Sequence, residues 1–144
     1  MTVFSTPSTI LVVMFVVSTK VDYGLLLLLE LAKKSDSGYV SLHSIADKVH
    51  LSEKYLSQLI LLLKQAGLVK SKEGKGGGYY LARKPKAISL LEVVTALEGP
   101  MRLVRCLEPK GCPANHNCLV NPVWAELQQT VQKYFKHKTL QDLL

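Results

Sequence analysis

Cysteine is scarce in this 144-residue chain: three residues, Cys106, Cys112 and Cys118, all late and close together. An odd number cannot pair fully within one chain, and the crowding is not that of a disulfide framework, so a reducing cytoplasm fits better than secretion. No long hydrophobic run is present either. The longest, Ile10 to Val17 (ILVVMFVV), has eight residues, far short of the roughly 20 that a membrane span needs. No positive charge precedes it and Ser18-Thr19-Lys20 is a poor cleavage site, so it does not read as a secretory signal. Residues 1–17 read as an apolar extension from a start codon set too early, with Met14 as the expected start, and no membrane partner is expected. Acids are the third shortage. Eleven Asp and Glu face eighteen Lys and Arg, for a formal charge of +7, which biases the search toward polyanionic partners, nucleic acid first.

What is present is a real core, since 48% of the residues are apolar, and 144 residues fit one ordinary domain with an oligomerisation appendage. From Val21 the pattern is helical and nearly all-round apolar (Tyr23, Leu25 to Leu29, Leu31, Ala32), ending at Lys33-Lys34. Ser41 caps a short helix with Leu42, Ile45, Ala46 and Val49 at helical spacing. After a break at His50-Leu51, Ser52 caps a third helix, lined on one side by Tyr55, Leu56, Leu59, Leu62 and Leu63 and stopped by Ala66-Gly67. Two short helices joined by a tight turn, the second amphipathic, have the outline of a helix-turn-helix.

The segments Leu68 to Ser71 and Tyr79 to Ala82 are strand-like and flank Glu73-Gly74-Lys75-Gly76-Gly77-Gly78. A glycine-rich hairpin directly after such a helix pair reads as the wing of a winged helix, its glycines allowing close backbone approach to DNA. A nucleotide-binding P-loop is discounted, because this loop opens a strand rather than a helix. Between Lys64 and Lys86 lie seven basic residues and one acid, Glu73. Lysines near phosphates bind without sequence preference, so base choice falls to the exposed face of the second helix. There Gln58 suits an adenine edge, Lys54 a guanine or a phosphate, and Tyr55 either the sugar-phosphate backbone or core packing. The full set of candidate DNA contacts is Ser41, Ser52, Lys54, Tyr55, Ser57, Gln58, Lys64, Lys72, Lys75, Gly76 and Gly77.

Ser89-Leu90-Leu91-Glu92 is a capping box that opens a closing helix ending at Gly99-Pro100. The cysteines follow in a C-x5-C-x5-C loop rich in Pro, Gly and Asn. Three thiolates on such a loop suit a thiophilic centre, either zinc with one more ligand or an iron-sulfur cluster, and unligated thiols are the alternative. Asn121 as N-cap and Pro122 at the first helical position start a last helix, in which Val123, Trp124, Leu127, Val131, Tyr134 and Phe135 form an apolar stripe. So small a domain leaves no core to cover that stripe, so a second chain is its natural partner.

The stretches STKVDYGLLLLLELA, IADKVHLSEKYLSQLILLLKQAGLVKS, GKGGGYYLAR and ISLLEVVTALEG, the three cysteines and PVW, in that order, resemble the winged-helix regulators of the IscR and NsrR type, the Rrf-two family. The resemblance runs from Ser18 to Leu144. It implies a homodimeric transcription regulator, usually a repressor, whose iron-sulfur cluster ([4Fe-4S] or [2Fe-2S]) reports on cluster supply, nitric oxide or redox state. Where the IscR type has a histidine ligand after the third cysteine, this chain has Asn121. Asp22 matches the aspartate that NsrR-like members supply from the other subunit, and it reads either as that ligand or as an ordinary first-turn acid. His116, inside the loop, is the alternative. Two DNA-reading positions also depart: Ser57 stands where the family's site-selecting glutamate is expected and Glu73 where its wing arginine is, so no operator is carried over from a relative.

The expected fold is therefore mostly α with a small β-hairpin. A winged helix-turn-helix domain (18–100) is followed by a cysteine loop binding a cluster (101–121) and a long C-terminal dimerisation helix with its tail (122–144). The expected function is that of a cytoplasmic, homodimeric DNA-binding repressor of a palindromic operator, gated by a cluster on Cys106, Cys112, Cys118 and Asp22. The alternatives keep the DNA binding with zinc or redox-active thiols, or make the chain a small electron carrier. An enzyme is not expected, because His43, His50, His116 and His137 sit in unrelated contexts. For His43 and His50, flanking the first helix of the pair, solvent exposure is the default.

Overall fold

Four serines start the first four helices, each accepting a backbone N–H with its hydroxyl oxygen. In the computed structural model, which describes residues 17–34, 36, 38–108, 112 and 117–144, Ser18 opens α1 (Thr19–Lys33) and Ser41 opens α2 (Leu42–Val49). Ser52 opens α3 (Glu53–Gln65) and Ser89 opens α4 (Leu90–Glu98). Each cap satisfies one of the donors that a helix start leaves orphaned. At α4 the box is complete: Glu92 receives the Ser89 N–H at 2.9 Å and returns its own N–H to the Ser89 hydroxyl at 3.2 Å. The first helix starts two residues earlier than its apolar pattern, because Ser18 rather than hydrophobic spacing sets its beginning.

The core is built where α1, α3 and α4 meet. Leu27, Leu28 and Leu31 from α1, Leu56, Leu59 and Leu63 from α3, and Val93 from α4 are all buried. The helices approach closely because α1 carries Gly24, where a Cβ would sit 2.3 Å from the Leu97 side chain. Glu30 of α1 ties down α2, accepting from Lys48 at 3.0 Å and from Lys33 at 2.7 Å.

The hairpin consists of β1 (Val69–Lys72) and β2 (Gly78–Leu81), antiparallel with Val69 opposite Leu81 and Lys72 opposite Gly78. Both strands lie one residue from the places that hydrophobicity gives them, because the pairing register, not the apolar run, ends them. Val40 forms an isolated antiparallel bridge to Tyr79, which joins the segment before α2 to the wing.

A 3-10 turn (Arg105–Leu107) leads into α5 (Asn121–His137). The N-cap of α5 is Val120, not the expected Asn121, which is already the first helical residue; Pro122 lies in the first turn. None of its side chains is buried, and Val123, Trp124 and Tyr134 are exposed. Gln128 and Gln132 hold the preceding segment, through the Leu103 N–H at 3.0 Å and the Met101 carbonyl at 3.1 Å. The chain then returns to the core: Leu90 N–H donates to the Lys138 carbonyl at 2.8 Å, Leu140 N–H to the Ile88 carbonyl at 3.0 Å, and Leu140 is 0% exposed. Among the described residues no helix is long and apolar enough to cross a membrane.

Candidate nucleic-acid interface and cysteine loop

The turn between α2 and α3 sets the start of α3, the candidate reading helix. His50 ends α2 in the left-handed region (φ 54°), Leu51 packs against the core, and Ser52 then caps α3. The N-terminal half of α3 splits by face. Leu56 is buried, Tyr55 is half-buried against the ring of Tyr23 at 6.0 Å, and Lys54, Ser57 and Gln58 are exposed. Of the two readings of Tyr55, the geometry is that of core packing. The Ser57 hydroxyl donates to the Glu53 carbonyl at 2.8 Å, which leaves it only an acceptor's role toward a base. Ser41 and Ser52 each accept one backbone N–H of their own helix and keep a hydroxyl proton to donate.

The lysines divide likewise. Lys64, twelve residues from Ser52 and so about 18 Å along the helix, donates to Ser71 at 2.8 Å and links α3 to the hairpin. Lys72 lies 5.0 Å from the ring centre of Tyr39, a residue that sequence reading passed over because it lies outside any helical or strand pattern. Lys75 is exposed at the hairpin tip. The tip glycines do two jobs. Gly76 has φ 72° with open space around it, whereas a Cβ on Gly77 would fall 2.2 Å from the Lys72 carbonyl oxygen. The hairpin's own closure therefore requires glycine at Gly77, whatever the wing contacts.

A cluster absent from the sequence reading sits between the starts of α2 and α3. His43 Nδ1 lies 2.9 Å from Glu53 Oε1 and its Nε2 lies 3.4 Å from Asp47 Oδ2. Its sequence signal was the matched placement of His43 and Glu53 just after the capping serines Ser41 and Ser52.

The three cysteines are free thiols, with Cys106 and Cys118 half-buried and Cys112 exposed. The Asn121 side-chain amide donates to Cys106 Sγ at 3.9 Å, so the position lacking the expected histidine still reaches the cysteine loop. Asp22 is exposed on the first turn of α1. Among the described residues, no group of three or more His, Cys, Asp or Glu is arranged to hold a metal ion, and His116 lies outside them.

Comparison with known proteins agrees with this architecture. The chain is 42% identical over 127 residues to the HTH-type transcriptional regulator CymR of Bacillus subtilis, covering 88% of each chain. It is 32% identical over 127 residues to the regulator IscR of Yersinia pseudotuberculosis, covering 88% of this chain and 77% of that one. The solved structure of B. subtilis CymR, described as the global cysteine regulator, superposes with a TM-score of 0.74 at 41% identity, covering 90% of this chain and 96% of that one. T. potens IscR does so with a TM-score of 0.72 at 37% identity, over 89% and 85%. The family model Rrf2, an iron-dependent transcriptional regulator, matches residues 17–144. With a capped reading helix, a basic wing and these relatives, the chain belongs to the Rrf2 family of DNA-binding transcriptional regulators, which are not enzymes.

Proposed function

We propose that the chain is a homodimeric, cytoplasmic repressor that reads a palindromic operator with α3 and the wing, and whose grip on DNA is set by an iron-sulfur cluster. The cluster's ligands are Cys106, Cys112 and Cys118, with the partner subunit's Asp22 as the fourth. The donor set suits such a group by its chemistry, three free thiols within thirteen residues. The observation that carries the reading is the contact of Asn121 with Cys106. It sets Cys106 beside the first turn of α5, whose Val123, Trp124 and Tyr134 are exposed among the described residues, so that the sensing and subunit faces share a joint. When bound, the cluster supplies a centre open to oxidants, nitric oxide and iron shortage. The Asn121 amide donates to the Cys106 sulfur, and the exposed Val123, Trp124 and Tyr134 pair the subunits. A twofold dimer sets two reading helices about one DNA turn apart, roughly 34 Å.

A second reading, in which the thiols act without iron or hold zinc, is favoured by the described donors not converging within one chain and by the 41% identity to a protein described as a global cysteine regulator. The test is the visible spectrum of anaerobically purified protein with its iron and acid-labile sulfide, alongside DNA binding before and after loss of any chromophore. A brown protein with matched iron and sulfide, whose DNA affinity changes on bleaching, is the expected result. A colourless protein that takes up no iron on reconstitution would overturn the cluster and leave thiol or zinc control.

A further inference from the structure

We infer that His43 is a positioning residue for DNA reading: it holds the Glu53 carboxylate at the head of α3 and, once protonated, cancels its charge, so that DNA binding takes up a proton. The inference rests on the reading of α3 as the recognition helix. The N-terminal residues of such a helix meet the major groove, and Glu53 is the first residue of α3. An acid there gains from the helix start but is repelled by the phosphates on either side of the groove.

The geometry supplies a remedy. The His43 ring spans two carboxylates from two helices, Glu53 at 2.9 Å and Asp47 at 3.4 Å, and these are the charged groups that act on it. Each ring nitrogen faces a carboxylate, so whichever one holds the proton of the neutral ring, a second proton taken from solvent gives both carboxylates a donor. The cluster then carries one negative charge instead of two. The hydrogen bond to Glu53 first, then the nearby charge of Asp47 and of Glu53, push the His43 pKa above the ordinary histidine value. DNA phosphates act in the same direction. The sign follows: the protonated cluster binds DNA better, and the added affinity is lost as pH rises through the raised His43 pKa.

The experiment is fluorescence anisotropy with a labelled duplex selected by the wild-type protein from a random-sequence pool, at fixed salt, for wild type, His43→Gln and Glu53→Gln. The wild-type Kd is expected to rise roughly three- to fivefold between about pH 6 and about pH 8, the scale of one solvent-exposed charge pair. His43→Gln should flatten that rise, and Glu53→Gln should flatten most of it while binding more tightly than wild type at the higher pH. Equal pH slopes in wild type and His43→Gln, with both binding, would overturn the inference alone. Absence of salt-dependent binding by the wild type at every pH would overturn the regulator reading and the inference with it.

Discussion

Neighbouring polar side chains on α3, the proposed reading helix, are not equivalent, and the difference lies in what each already bonds. Ser57 gives its proton to the Glu53 carbonyl, whereas Gln58 is exposed and has the paired donor and acceptor that match an adenine edge. Gln58→Ala should therefore cost about 1–3 kcal/mol of discrimination at one base position, while Ser57→Ala should leave base preference nearly unchanged; affinities on single-base variants of a selected duplex check both. The candidate face was legible in the sequence because its apolar partners, Leu56, Leu59 and Leu63, mark the opposite side. The bonds that separate Ser57 from Gln58 were not, since a hydroxyl's choice between base and backbone leaves no trace in spacing. The same limit explains Asn121. Asn-Pro ahead of an apolar stripe reads as a cap by local chemistry, but the helix begins one residue earlier, with Asn121 inside it and its amide donating to Cys106, fifteen residues back in the chain.

Elements were legible where a local signal starts them. Ser41, Ser52 and Ser89 announced α2, α3 and α4, because a capping serine and the apolar period agree there. The wing's existence was equally plain, but its bounds shifted by one residue at both strands, since cross-strand register is a property of two segments and neither run of residues contains it. The glycines of the tip make the point quantitatively testable. Gly77→Ala would set a methyl against the Lys72 carbonyl oxygen, and the expected loss is about 1–3 kcal/mol of stability, measured by urea unfolding. Its effect on DNA binding should then follow from a distorted hairpin, with the salt dependence weakened along with affinity.

At the scale of the whole molecule, the winged domain is completed by the chain's last residues. The short run TLQDLL carries no periodicity and reads as a tail, yet Leu140 fills the core and Thr139 bridges to Ser89. No local pattern reveals a contact between segments fifty residues apart. Leu140→Ala should cost about 2–5 kcal/mol and unfold the DNA-reading domain and the C-terminal helix in one transition; coincident denaturation curves by circular dichroism and Trp124 fluorescence are the check. This closure has a mechanical consequence. Helix α5, seventeen residues and so about 25 Å long, is pinned at its far end by Leu90 and Ile88 and meets the cysteines at its near end through Asn121. Because Phe135 packs against the core and Gln128 and Gln132 hold the segment before the cysteines, a displacement at Cys106 would be passed through α5 to the winged core rather than lost in a loose tail.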